Sequence, residues 1–234
     1  MRAGSGGFLL AAGLILFWAA SAMAQGAEPQ TTVLHLSQTA ERNVLRDLLR
    51  IDLRVEEAGA DPLAIQSAIN RRMAAALDRA HQVQGVQVET GSYNVGEERP
   101  QSGPSRWRGS QSLVLRSRAA DPALKLAGTL QTDGLLMSSM AYEASPETVR
   151  GAEEDLTSEA LAALDRRAAS IADRMHLAVL RYRDLRLGNA ETEGGRPVPR
   201  FATAAMAAPP VAEPGEATIR VTIEAELLLV AQRP

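Results

Sequence analysis

The stretch LRIDLRVEEAGADPLAIQSAINRRMAAALDRAHQV runs from Leu49 to Val83, and its two halves keep different periods. In LRIDLRVE, Leu49, Ile51, Leu53 and Val55 alternate with Arg50, Asp52, Arg54 and Glu56, the two-residue period of a strand with one wet face. Beyond Ala60 the period changes. Ile65, Ile69, Met73, Ala76, Ala80 and Val83 recur at three and four residues, which predicts a helix with one apolar face reaching Val83. Asp61-Pro62 marks the join: a short side chain caps orphan amides, and proline's missing N–H costs nothing at the first helical position.

The same device occurs twice more, in ADPALKL and ASPETVR, which predicts further helices beginning near Asp121 and Ser145. The helix at Asp121 is short, with Leu124, Ala127 and Leu130 facing inward, and stops near Gly134, which can take the left-handed conformation. The helix at Ser145 is long, from about Glu147 to Met175.

Strands fill the intervals. VQVETGSYNV (86–95) follows the first helix and SQSLVLRSR (110–118) precedes the second, with a Pro/Gly/Ser-rich loop, GEERPQSGPSRWRG, between them. GLLMSSMAYEAS (134–145) precedes the long helix and LAVLRYRDLRL (177–187) follows it. In ATIRVTIEAELLL (217–229), Ile219, Val221, Ile223, Ala225 and Leu227 alternate with Arg220, Thr222, Glu224 and Glu226, a face that allows sheet extension or subunit contact. TTVLHLSQT (31–39) offers a partner for the strand at Leu49, a pairing the sequence leaves open.

From about residue 44 the order is strand, helix, strand, strand, helix, strand. That is the split pattern of a ferredoxin-like α+β fold, an antiparallel βαββαβ core with helices on one face. A long third helix and C-terminal strands extend it. Residues 188–215 are rich in Ala, Pro and Gly without period and predict an excursion between two strands.

Several of these strings resemble the SIMPL domain family of bacterial exported proteins. VETGSYNV, WRGSQSLVLRS and GLLMSSMAYEAS are similar to successive strands of the family. ALAALDRRAASIADRMHL (160–177) is similar to its Ala-rich helix, with alanines at Ala-x-x-x-Ala-like spacing. The resemblance covers about residues 31–230. One departure is plain: many members carry a Pro-Asp pair between their first two strands, where this chain has TAERNVLRD. The resemblance implies a non-enzymatic protein of envelope and oxidative stress defence that assembles into oligomers. It brings no catalytic residues.

Composition bounds the function further. Residues 1–24 have one cation, Arg2, then an apolar run from Phe8 to about Ala20 and a small-x-small Ala22-Met23-Ala24. This predicts a secretory signal cleaved after Ala24, periplasmic export, and a single domain over 25–234. The run is shorter than the ~20 residues of a spanning helix, so no stable membrane insertion is expected after cleavage. Cysteine is absent, which excludes disulfides, thiol nucleophiles and thiolate metal sites. Without Arg2 the charge balance is 24 basic residues against 28 acidic, a net charge of −4 that argues against nucleic acid. Tyr93, Trp107, Tyr142, Tyr182 and Phe201 are the aromatics after residue 24, too few for stacking platforms or barrel girdles.

No catalytic, cofactor-binding or metal-ligating residues are expected. His35, His81 and His176 show no zinc-ligand spacing. The serines of SGPS (102–105) and RGSQS (108–112) lack a strand-to-helix elbow. Glu56-Glu57, Glu97-Glu98 and Glu153–Asp155 read as solvated acids, the last group set against the positive end of a helix. RYRDLR (181–186) reads as an exposed strand or subunit contact rather than an anion site. The long helix offers Leu161, Leu164, Ala168, Ile171 and Met175 as its packing stripe, leaving Arg166, Arg167, Asp173 and Arg174 mainly outside it. The family resemblance implies a homo-oligomer and leaves room for an envelope partner whose identity the residues do not give, while the residues themselves lead to the expectation of no cofactor and no nucleic acid. A ligand- or peptide-binding module near the Pro-rich loops is the alternative.

Overall fold

A computed structural model describes residues 30–99, 105–193 and 213–232. The described residues from Thr31 onward group as one compact unit. They form an α+β fold with two antiparallel sheets and two separate apolar cores.

The first sheet is contiguous in sequence. Strand β2 (Leu48–Gly59) leads to helix α1 (Pro62–His81), the hairpin β3 (Gln87–Glu98) and β4 (Arg106–Ser117), helix α2 (Ala120–Thr132) and strand β5 (Leu136–Glu143). The strand order β3-β4-β2-β5 with every neighbour antiparallel is the ferredoxin-like arrangement expected. The alternation read in LRIDLRVE is realised: Leu49, Ile51, Leu53 and Val55 are buried. Ile65, Ile69 and Met73 of α1 meet them, with Leu126 and Leu130 of α2. Burying each such side chain contributes roughly 1.5–3 kcal/mol. At Gly109 on β4 a Cβ would sit 2.6 Å from Ile69 and 2.8 Å from Ile65, so glycine is what lets α1 lie this close.

Helix starts agree with the caps in two places of three. Asp61 accepts a hydrogen bond from Leu63 N at 2.9 Å, and Ser145 Oγ accepts from Thr148 N at 3.2 Å. Asp121 does not cap α2. The helix begins one residue earlier, and Asp121 instead places its charge in the first turn. Ser117 Oγ accepts from Ala119 N, the amide of the N-cap residue itself, and no side chain caps the first-turn amides of α2. Helix α1 ends at His81, short of Val83, while Gly134 after α2 does take a positive φ of 93°.

The second sheet joins the two ends of the chain. Strand β1 (Thr32–Leu45) pairs with β8 (Glu216–Ala231) along its whole length, and β6 (Leu177–Leu187) and the short β7 (Glu191–Glu193) pair with the other side of β8. Helix α3 (Pro146–Arg174) covers one face. This corrects two expectations. TTVLHLSQT does not pair with β2, whose two edges are filled by β4 and β5. The last strand cannot extend a sheet, because β8 is central. The long helix and C-terminal strands thus build a second sheet rather than widening the first.

The packing stripe of α3 also differs. Ala152, Leu156, Ala160, Leu164, Ala168 and Ala172 are buried, one every four residues. Four residues turn a helix about 400°, so this line drifts by about 40° per step and winds around the helix. Leu164 and Ala168 were expected; Leu161 and Ile171 are only half-buried, and Met175 is an exposed C-cap. The alanines admit Ile219, Val221, Ile223 and Leu227 from β8.

The hairpin extends into GEERPQSGPSRWRG from both sides, since β3 continues through Glu98 and β4 begins at Arg106. Within the excursion, β7 returns to pair with Thr218–Arg220, and residues 194–212 lie outside the described residues, as do residues 1–24, where a leader was expected.

Candidate functional site

On the face of the second sheet away from α3, β1 presents His35, Ser37, Thr39, Glu41 and Asn43 opposite Glu226, Glu224, Thr222, Arg220 and Thr218 of β8. The pairs interlock. His35 Nδ1 lies 3.5 Å from Glu226 Oε1, Thr39 and Thr222 hydroxyls are 3.0 Å apart, Arg220 Nη2 donates to Glu41 at 3.0 Å, and Thr218 Oγ1 donates to Asn43 Oδ1 at 2.9 Å. Asp184 and Arg186 of β6, themselves paired at 2.9 Å, close an open groove of about 380 Å³ with His35, Ser37, Glu224 and Glu226. Such a groove can take a small polar or cationic group; it presents no nucleophile held against a base.

A second polar cluster joins the two sheets. Asp47, in the two-residue turn between β1 and β2, accepts from Ser145 N at 2.7 Å, Ser145 Oγ at 2.9 Å and Thr148 Oγ1 at 3.1 Å. Arg118, just before α2, donates to Ser145 Oγ at 2.9 Å and Glu147 Oε2 at 3.0 Å, with its Nε 3.6 Å from Asp47. Burial pushes the Asp47 carboxyl up, but the bonds from Ser145 and Thr148 outweigh it and leave the pKa below the ordinary value. Ser145 is fully buried. This is a doubled helix cap: the N-terminus of α3 receives both its own serine and a carboxylate from the preceding sheet.

The structure scatters the other candidate residues. His81 is the last residue of α1, and His176 holds a left-handed φ of 58° just past α3, a closing turn rather than a ligand position. Among the described residues no three histidine or acidic side chains are placed to hold a metal. Glu56 pairs with Arg54, and Glu57 lies 3.1 Å from Arg72 Nη1 without an aligned hydrogen bond. Glu97 pairs with Arg99, and Glu98 with Arg106 and Arg108. Asp155 takes Arg42 at 2.8 Å. Ser110 and Ser112 lie within β4, while Ser102 is outside the described residues.

In RYRDLR the faces do not simply alternate, because register shifts skip Leu180 and Arg183, although Arg183 Nε still lies 3.9 Å from Glu226 of β8. Tyr182 points to α3 and donates to Asp165 at 2.5 Å. Burial, then this carboxylate, pushes the phenol up to about 12. On the outer face of the first sheet Asp52 is held by Arg50 and by Ser139 Oγ at 2.6 Å. Burial raises its pKa, and these partners bring it below the ordinary value.

The profile of SIMPL, described as a protein of unknown function (DUF541), matches residues 34–227. The chain belongs to the SIMPL family. No curated protein matches it. The match reaches into both described sheets and covers the three described helices of this SIMPL chain, including the Ala-rich α3. Within TAERNVLRD, the two residues of the turn between β1 and β2 are Arg46 and Asp47. Sequence reading missed Asp47 because its partners lie about a hundred positions away, at Ser145 and Thr148.

Proposed function

We propose that this SIMPL protein works in the periplasm as a non-enzymatic, self-associating component of envelope defence, including defence against oxidative stress. The observation that supports this most is how its polar side chains are used. Those that could have carried chemistry tie elements together: Ser145 and Asp47 at the α3 cap, His35 and Glu226 across β1 and β8, Tyr182 and Asp165 between β6 and α3. Export rests on the leader pattern of residues 1–24. Removing the protein from its host should raise sensitivity to oxidants or envelope-damaging agents, and an unaltered strain would defeat the stress role. Light scattering on the mature protein should give a mass above that of one chain at high concentration. A strict monomer would remove the assembly.

A second reading, a ligand- or peptide-binding module, was expected near the Pro-rich loops, whose residues 100–104 and 194–212 lie outside the described residues; its support comes from a different place, the groove between β1, β8 and β6. A thermal-shift screen with envelope metabolites and short peptides tests it, since a ligand at a hundred times its Kd stabilises by about 2.7 kcal/mol. Binding that survives Arg186→Glu and Glu224→Arg would exclude the groove.

A further inference from the structure

Sheet edges are hazards that proteins blunt with bulges, short strands and inward or lateral charges. Among the described residues, four longer strands end a sheet: β3 and β5 in the first, β1 and β6 in the second. Three of them are interrupted. The register of β3 shifts between Thr90 and Tyr93, that of β5 shifts opposite Asp52 and Leu53, and that of β6 shifts twice, beside three arginines. A bulge twists the edge and spoils it as a template. Strand β1 is the exception. Its 14 residues pair with β8 without one shift, and it contains neither proline nor lysine. At about 3.4 Å per residue that is an even edge of roughly 45 Å. Among the described residues no strand pairs with it on the side away from β8.

The backbone of this edge is already in contact with donors of another kind. Ser37 O accepts from Arg167 Nη1 at 3.3 Å and Thr39 O from Gln38 Nε2 at 3.2 Å, both exposed side chains. Carbonyls met by side chains two residues apart are the ones turned away from β8, since groups alternate in direction along a strand. A strand laid alongside would replace both contacts with ladder bonds.

We propose that the open edge of β1 pairs with β1 of a second copy, antiparallel, about a two-fold axis through Gln38, joining two sheets into one. The proposal rests on the self-association proposed above and names its surface. The side chains favour this register. On the exposed face, His35 falls opposite Glu41 of the second copy and Ser37 opposite Thr39, each pair occurring twice. On the helix face, Leu36 falls opposite Ala40. Glu41 already holds Arg220, and the imidazole of the second copy would bring a further polar partner to that carboxylate. Because residues of odd number share the outer face in both copies, α3 stays on the same side of the joined sheet.

The absence of cysteine makes the test direct. In the Gln38→Cys variant of the mature protein the only thiol lies on the axis, where facing Cα atoms about 4.5–5.5 Å apart suit a disulfide. Mild oxidation should give covalent dimers, and Leu185→Cys on the bulged β6 edge should stay largely unlinked. Separately, His35→Glu should weaken association about tenfold by setting like charges opposite each other, and adding Glu41→Lys should recover it. Melting curves of each variant report folding. An assembled wild type whose Gln38→Cys variant stays unlinked would overturn the β1 edge and leave self-association standing. A wild type that is monomeric throughout would remove both. Capture of an unrelated envelope protein by the Gln38→Cys thiol, in place of a second copy, would make the edge a docking strand and also overturn the proposal.

Discussion

Between the sheet that carries α1 and α2 and the sheet that carries α3, apolar strands are covered with different side chains. In the first, Ile65, Ile69, Met73, Leu126 and Leu130 interdigitate with the leucines and isoleucines of β2 and β4, large against large, with Gly109 opening space for α1. In the second, a line dominated by alanine on α3 lies against Ile219, Val221, Ile223 and Leu227. The chain path differs as well. The first sheet uses one continuous segment, Leu48 to Glu143, whereas the second pairs Thr32 with Leu229. Pairings that close long loops form late, so the first sheet is expected to fold first and the second to be the less protected.

That contrast can be broken by substitution. The largest effect should come from Ala168→Glu, which buries a carboxylate against β8 with no partner, at a cost of about 3–5 kcal/mol. Hydrogen exchange should then show β1 and β8 amides unprotected while β2 and β4 keep protection; uniform loss would mean that the sheets fold as one cooperative unit. Gly109→Ala tests the other core. Its Cβ must displace the ends of Ile65 and Ile69, and overpacking of this kind costs about 1–3 kcal/mol, read as a lower Tm.

Asp47→Asn addresses the cap shared by both sheets, and should cost about 1–2 kcal/mol near neutral pH. Its sign with pH is fixed by the lowered pKa. The carboxylate's contribution is complete above the ordinary value of 3.8 and is lost as pH falls through the lower folded value, so the variant should show a shallower acid limb in denaturant melts. An unchanged acid limb would assign that slope to Asp52, which is shifted in the same direction. Tyr182→Phe removes the bond to Asp165 and should cost about 1 kcal/mol. The wild-type contribution is complete below the ordinary phenol value of 10.0 and disappears as pH rises toward about 12, so the two proteins should converge in alkaline melts. Smallest is Arg167→Gln, within about 0.5 kcal/mol of wild type, because the arginine reaches only an exposed carbonyl.

How far such features could be read in advance follows from the range of the interactions. The alternation of β2, the face of α1 from Ile65 to Ala80 and the caps at Asp61 and Ser145 are contacts within a few residues, and each is present as read. Asp121 misled because α2 already begins at Ala120, which puts Asp121 inside the first turn rather than at the cap. The α3 stripe misled because a narrow face was assumed where the buried line winds. The polar ladder of β1 and β8 was half visible: each strand's alternation is in the residues, but not that His35 faces Glu226 or Glu41 faces Arg220.

The residues of this SIMPL chain by themselves determined the order of its longer elements, the ferredoxin-like α+β core and the family, because periodicity and capping are local properties of the backbone, while the short β7 went unread. Tertiary structure alone decided that β1 crosses to β8, that Asp47 caps a helix about a hundred residues away, and that β1 is the strand whose edge is left unbroken. Those outcomes depend on which strands compete for the same hydrogen-bonding edges. With β2 already flanked by β4 and β5, the edge of β8 was where β1 could pair.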